Sequence, residues 1–252
     1  MTEPLLAPDE APPVTVHNPG GRSPFLLLAD HAGRVFPRAL GRLGISEADS
    51  HRHIAWDIGI LGTSLDLAAR LDAPLIAQTY SRLAIDCNRP PGVPSSIPVL
   101  SELTEIPGNV GLTEDQKAAR EREIFRPYHD RIAAVLDARA AAGQPTILIA
   151  MHSFTPVYKG ERRPWHVAML YRQPALAHPL LRLLEREPGL VVGDNEPYSV
   201  GDETDYAVPV HGERRGLLHT AIEIRQDLIA EPAGQAEWGE RFARLLPLAA
   251  GV

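Results

Sequence analysis

Phe25-Leu26-Leu27-Leu28-Ala29, running straight into Asp30-His31-Ala32-Gly33, and Thr146-Ile147-Leu148-Ile149-Ala150-Met151, running into His152, carry the reading of the fold. Short, unbroken apolar runs that end abruptly in polar turns are the mark of strands buried on both faces, as in a parallel sheet covered by helices. The segments around them fit that reading. Ile58 to Leu71 has apolar residues at helical spacing, stopped by Asp72 and Pro74. Leu75–Thr79 and Leu83–Asp86 read as strands, and 87–112, with Pro90, Pro91, Pro94, Pro98 and Pro107, as a long irregular loop. Thr113 with Gln116 forms a capping box, opening a helix that runs to about Ala142 with a kink or break at Pro127. Further strands are expected at 165–171, 190–192 and 220–224, and helices at 176–187 and 237–246. Strands alternating with helices predict an α/β sandwich with a mainly parallel sheet. With no internal repeat or linker, residues 1–252 read as one domain in which 1–22 form an N-terminal extension.

Composition narrows the function classes. The 252 residues are 44% hydrophobic and carry a net charge of -7, with no basic block able to neutralise a row of phosphates, so nucleic acid is not an expected partner. No apolar run approaches the roughly 20 residues of a membrane helix. The N-terminus lacks the basic and apolar regions of a signal peptide, so a cytoplasmic protein is expected. The lone cysteine, Cys87, excludes an internal disulfide and a cysteine metal cluster. Of the 25 basic residues only Lys117 and Lys159 are lysines. Base composition accounts for most of that excess, but the planar guanidinium also suits a carboxylate ligand.

The chemistry-bearing residues gather where strands end, which is where open α/β sheets bind ligands. His31 and His152 follow two buried strands in equivalent positions, and zinc takes imidazole nitrogen together with carboxylate. Asp57 is either the N-cap of the next helix or the carboxylate ligand. Glu223 and Arg225, two apart on a strand, face the same way, as a buried ion pair or as a general base with a neighbouring cation. Arg82, Asp86, Asn88 and Arg89 lead out of a strand into the proline-rich loop. An Arg82–Asp86 pair is structural in kind, whereas Asn88 and Arg89, stiffened by Pro90 and Pro91, suit a carboxylate.

The run His31-Ala32-Gly33, the segment Trp56-Asp57-Ile58-Gly59, the run Ser81 to Pro90, the pair Tyr128-His129, the turn His152-Ser153-Phe154 and Glu223-Ile224-Arg225 occur in an order that resembles the N-formylglutamate amidohydrolase family, from about Ser23 to Ile229. The resemblance implies a three-layer α/β/α, zinc-exopeptidase-like fold related to zinc carboxypeptidases and aspartoacylases. It also implies one divalent metal ion, zinc, held by His31 and His152. The carboxypeptidase pattern has a Glu three residues after its first His; here that position is Arg34, and Asp57 is taken as the third ligand. Glu223 becomes the base, Asn88 and Arg89 the receptors of the substrate carboxylate, and Arg82 or Arg225 the stabiliser of the oxyanion or of a second carboxylate. Ala150 stands where the family often has an Asp two residues before the second His, so His152 needs another orienting partner. The expected substrate is a small carboxylate, an N-acyl amino acid such as N-formylglutamate. Other N-acyl amino acid deacylation, a carboxypeptidase-like activity, or metal-free capture of anionic metabolites by Arg82, Arg89 and Arg225 are the alternatives. The chain has no Gly-x-Ser-x-Gly elbow, Walker A loop or dinucleotide fingerprint.

Overall fold

The computed structural model describes residues 4–252. In chain order the strands are β1 (Val14–His17), β2 (Phe25–Ala29), β3 (Leu75–Gln78), β4 (Leu100–Ser101), β5 (Thr104–Glu105), β6 (Ile147–Phe154), β7 (Val157–Tyr158), β8 (Glu161–Arg162), β9 (Val167–Leu170), β10 (Val192–Asp194) and β11 (Leu218–Arg225). The helices are α1 (Glu47–Ser50), α2 (Ile60–Leu71), α3 (Glu114–Arg120), α4 (Arg126–Ala141), α5 (Pro174–Leu184) and α6 (Pro232–Ala250). Seven strands form one sheet in the order β1-β3-β2-β6-β11-β9-β10, while β4-β5 and β7-β8 are small hairpins. The central neighbours β3, β2, β6 and β11 are mutually parallel, and β9 and β1 enter antiparallel to β11 and β3.

Alternation along the buried strands sends side chains to two cores. Leu27, Ile149, Met169 and Ile222 pack beneath α2, α5 and α6 through Leu67, Leu180 and Phe242. Leu26, Leu28, Ile76 and Leu148 meet Phe125, Tyr128, Ile132 and Leu136 on the opposite face. The sheet is therefore covered on both sides, as the unbroken apolar runs predict, and the result is a three-layer α/β/α sandwich.

Several expected boundaries move. Leu83–Asp86 is not a strand: Ala84 N–H bonds to Ser81 O, closing a turn, and Asp86 N–H bonds to Ser96 O, so tertiary contacts override the local apolar pattern. Pro127 does not break the long helix. The turn before it, Glu121–Phe125, widens to a π-helix in which Arg126 N–H reaches Glu121 O, and the wider turn makes room for the ring. β6 runs three residues past Met151, so His152 stands within the strand rather than in a turn beyond it. β1, inside the stretch read as an extension, adds an edge strand to the sheet.

Candidate functional site

The site is built at the C-terminal ends of β2, β6 and β11, where ligands of α/β sheets gather. His31 comes two residues after β2, and His152 lies in β6 directly opposite Glu223 of β11 in the parallel register. Neighbours in register share one face of the sheet, so this pairing sets the imidazole and the carboxylate side by side. Asp57 is not a helix cap, because Gly59 occupies that position in the left-handed region at φ 80°. The Asp57 N–H instead bonds to His31 O, and its Oδ2 accepts from Ser153 N–H at 3.1 Å. Asp57 thereby joins the β2 loop to the end of β6.

The buried side chains of His31, Asp57 and His152 bring one ligand atom each to within 4.8 Å of one another. Asp57 Oδ2 lies 3.5 Å from His31 Nδ1 and 3.2 Å from His152 Nδ1. The other ring nitrogens are turned away: His31 Nε2 is 2.6 Å from Asp86 Oδ1, and His152 Nε2 is 3.5 Å from Asp30 Oδ2. Each imidazole thus has a carboxylate behind it and its Nδ1 aimed at one shared point, the arrangement that orients histidine ligands. His31 Nδ1 is buried without a hydrogen-bond partner. A buried nitrogen without a hydrogen bond, facing a carboxylate and a second imidazole, fits a divalent cation. Arg34 is exposed, with its guanidinium carbon 5.5 Å from the Trp56 ring centroid, and takes no part.

Burial and charge tune these groups against one another. Burial opposes ionisation of Asp57 and Asp86, but the histidines and Arg82 outweigh it and hold both carboxyls well below the usual carboxylate range. Burial likewise opposes a charged His152, yet Asp30 and Asp57 raise it well above an ordinary histidine. Glu223 goes the other way. Burial, with Asp57 adding repulsion, pushes it up to about 7, and its Oε2 has no partner. A carboxylate near neutrality with a free oxygen beside a candidate metal centre is suited to carry a proton.

A cavity of about 700 Å³ opens over these residues, lined also by Arg82, Asn88 and Arg89. Arg82 donates from Nε and Nη2 to Asp86 Oδ2 at 3.1 and 2.7 Å, with Nη1 3.4 Å from Asp57 Oδ1. Asn88 is spent on the fold: its Oδ1 accepts from the backbone N–H of Tyr206 and Ala207, and its Nδ2 donates to Asp205 Oδ1. Arg89 is half-buried, with Nη1 donating to the carbonyls of Asn88 and Thr204. Arg225 is the one predicted residue that the structure does not bring to the cavity. The chain turns into a short helical segment at 226–228, which carries Asp227 against its guanidinium, and the remaining bonds go to the carbonyls of Pro164 and Trp165.

Five supporting residues, Asp30, Asp86, Tyr128, His129 and His211, lie outside the predicted set. Asp86 was read only as an ion-pair partner, and Asp30 replaces the carboxylate absent at position 150, in turn receiving a hydrogen bond from Tyr128 Oη at 2.6 Å. His129 Nε2 lies 2.7 Å from Cys87 O, and its Nδ1 lies 3.0 Å from His211 Nε2. A carbonyl only accepts, so His129 carries its hydrogen on Nε2 and His211 donates from its own Nε2. This neutral pair pins the backbone between Asp86 and Asn88. The adjacent Tyr128 and His129 therefore brace both histidine-orienting carboxylates from behind. The signal available in the sequence is Asp30 at the end of the first buried run, together with the Tyr128-His129 pair.

Comparison with functionally curated proteins gave no match. The structure is similar to that of gene product Atu2144 from Agrobacterium tumefaciens, at 36% identity and a TM-score of 0.95, covering 98% of each chain. It also resembles an N-formylglutamate amidohydrolase from Ralstonia eutropha JMP134 in fold, at 20% identity and a TM-score of 0.65, over 96% of this chain and 98% of that one. The model of the N-formylglutamate amidohydrolase family matches residues 23–230, the span that holds every strand-end residue described above, and the chain therefore belongs to that family.

Proposed function

We propose that this protein is a metal-dependent hydrolase that cleaves the amide bond of N-acyl amino acids, N-formyl derivatives foremost, releasing formate and the free amino acid. The observation that carries the reading is the buried His31, Asp57 and His152 group with Glu223 in register beside it. One divalent cation, zinc by the character of the nitrogen and carboxylate donors, would be held by these three residues and would supply Lewis acidity toward the acyl carbonyl and toward water. Glu223 accepts a proton from the attacking water and returns it to the amide nitrogen as the C–N bond breaks. Arg89 receives the substrate carboxylate through its unengaged guanidinium hydrogens. Asn88 shapes the loop that carries Arg89 rather than donating to the ligand. Arg82 holds Asp86 and Asp57 in their charged forms and presents positive charge to a developing oxyanion. Arg225 has no role in this mechanism.

Among the described residues no helix is long and apolar enough to cross a membrane, and a cytoplasmic location belongs to the same reading. The test is a screen of N-acyl amino acids with the zinc-loaded protein, measuring amine and formate. Release of both from N-formyl substrates, abolished by a chelator and restored by zinc, is the expected result. Hydrolysis undiminished by thorough metal removal would reject the metal-dependent mechanism.

A further inference from the structure

The predicted carboxylate receptors are not equally available, and their difference bears on the amino-acid half of the substrate. This inference rests on the hydrolase reading above. A substrate with two carboxylates, as in N-formylglutamate, calls for a second cation. Arg82 is already shared between Asp86 and Asp57, both buried, through three of its five N–H donors, and its charge is largely balanced by those two carboxylates. Arg225 does not line the cavity. Arg89 does, and its Nε and Nη2 have no hydrogen-bond partner among the described residues. Two further acidic lining residues supply no cation: Glu102 pairs with Arg52, and Asp205 accepts from Asn88 and Thr204.

The apolar lining is as specific as the charged lining is sparse. Leu100, Phe154, Leu170, Tyr158 and Tyr198 all face the cavity. Behind the two tyrosines lies Arg163, only 9% exposed, with its guanidinium carbon 4.6 Å from the centroid of the Tyr158 ring and 4.8 Å from that of Tyr198. Its Nη1 donates to Tyr198 Oη at 2.7 Å. Arg163 forms no ion pair among the described residues, and it does not line the cavity. Its charge is directed at two aromatic faces, which fixes both rings at a known spacing.

We propose that the substrate carries a single carboxylate, received by Arg89, and an uncharged apolar or aromatic side chain that packs on the Tyr158–Tyr198 wall, with Arg163 as the positioning residue of that wall. The experiment compares kcat/KM of the zinc-loaded protein for N-formylleucine, N-formylphenylalanine and N-formylglutamate. The apolar substrates should be preferred by at least about tenfold, as expected when the competitor must bury a charge without a partner. Preference for N-formylglutamate overturns the inference while leaving the hydrolase reading intact. Arg163→Met should raise KM for N-formylphenylalanine by about fivefold to tenfold with kcat changed less than twofold, since lost ring placement weakens binding more than chemistry. A loss confined to N-formylglutamate would instead identify Arg163 as a second carboxylate receptor and overturn the inference. If no N-formyl amino acid is hydrolysed, the hydrolase reading fails, and titration calorimetry of the same three compounds decides the pocket's preference. Tighter binding of the apolar compounds upholds it; tighter binding of N-formylglutamate, or binding of none, rejects it.

Discussion

Glu223 and Asp30 show how one residue type takes opposite roles according to its surroundings. Glu223 is buried beside Asp57 with one oxygen unpartnered, so its proton is held near neutrality; Asp30 is held ionised below the usual range because, against its burial, His152, His31 and the Tyr128 hydroxyl favour the charge. Glu223→Gln preserves the shape and removes the base. Zinc content should be unchanged by metal analysis while kcat falls by about 10²–10⁴-fold, the usual range for a positioned acid–base group. Activity within a few fold of the parent would show that Glu223 is not the base. Asp30→Asn tests the orienting role: zinc affinity, measured by competition with a chromophoric chelator, should weaken by about 10–100-fold. Both histidines and Glu223 were legible in the sequence because polar residues at the ends of apolar strands are conspicuous. Asp30 was in plain view beside His31, but its use depends on how β2 and β6 lie together, which no local pattern reveals.

At the level of elements, the site depends on a loop-to-helix junction. Gly59 is where the chain turns from Asp57 into α2. Its φ of 80° is strained for other residues, and an added Cβ would run into the Ile229 carbonyl oxygen. Gly59→Ala should therefore destabilise the protein by about 2–4 kcal/mol, combining the left-handed backbone cost with a backbone clash, read as a lowered denaturation midpoint. Because Asp57 is two residues away, zinc affinity should fall in the same variant. The capping box at Thr113 and Gln116 forms as the sequence predicts, with both reciprocal hydrogen bonds present. The misread strand at 83–86 and the unbroken helix at Pro127 are the counterpart. A four-residue apolar run carries too little periodicity to tell a buried turn from a strand, and a proline's effect depends on whether the preceding turn can widen.

Across the whole molecule, the two cores on either side of the sheet hold the site from both layers, and the α4 layer contributes a pH-dependent joint. Burial pushes His129 down to about 4 and His211 to about 3, so both stay neutral in the fold but bind protons when unfolded, where an ordinary histidine titrates near 6.5. The unfolded state thus holds more protons between about pH 6.5 and 4, and the pair's contribution to stability is lost as pH falls through that window, at up to about 1.4 kcal/mol per pH unit for each histidine. Glu223, raised from its usual value, works in the opposite sense between about 4.5 and 7. Chemical denaturation of the parent and of a His129→Gln/His211→Gln variant across pH 4–8 separates the two. The parent should lose stability relative to the variant on acidification; parallel curves would show that the pair does not titrate on unfolding. By itself the sequence determined the layered α/β architecture and singled out His31 and His152 as candidate ligands, because hydrophobic periodicity and strand-end polarity are properties of short segments, whereas Asp57, open between cap and ligand, became the third ligand only through the family resemblance. Only the tertiary structure decided which arginine is free. Arg82, Arg89 and Arg225 are chemically alike, and only the folded positions of Asp86, Asp57 and Asp227 consume the first and the last, leaving Arg89 with donors to spare.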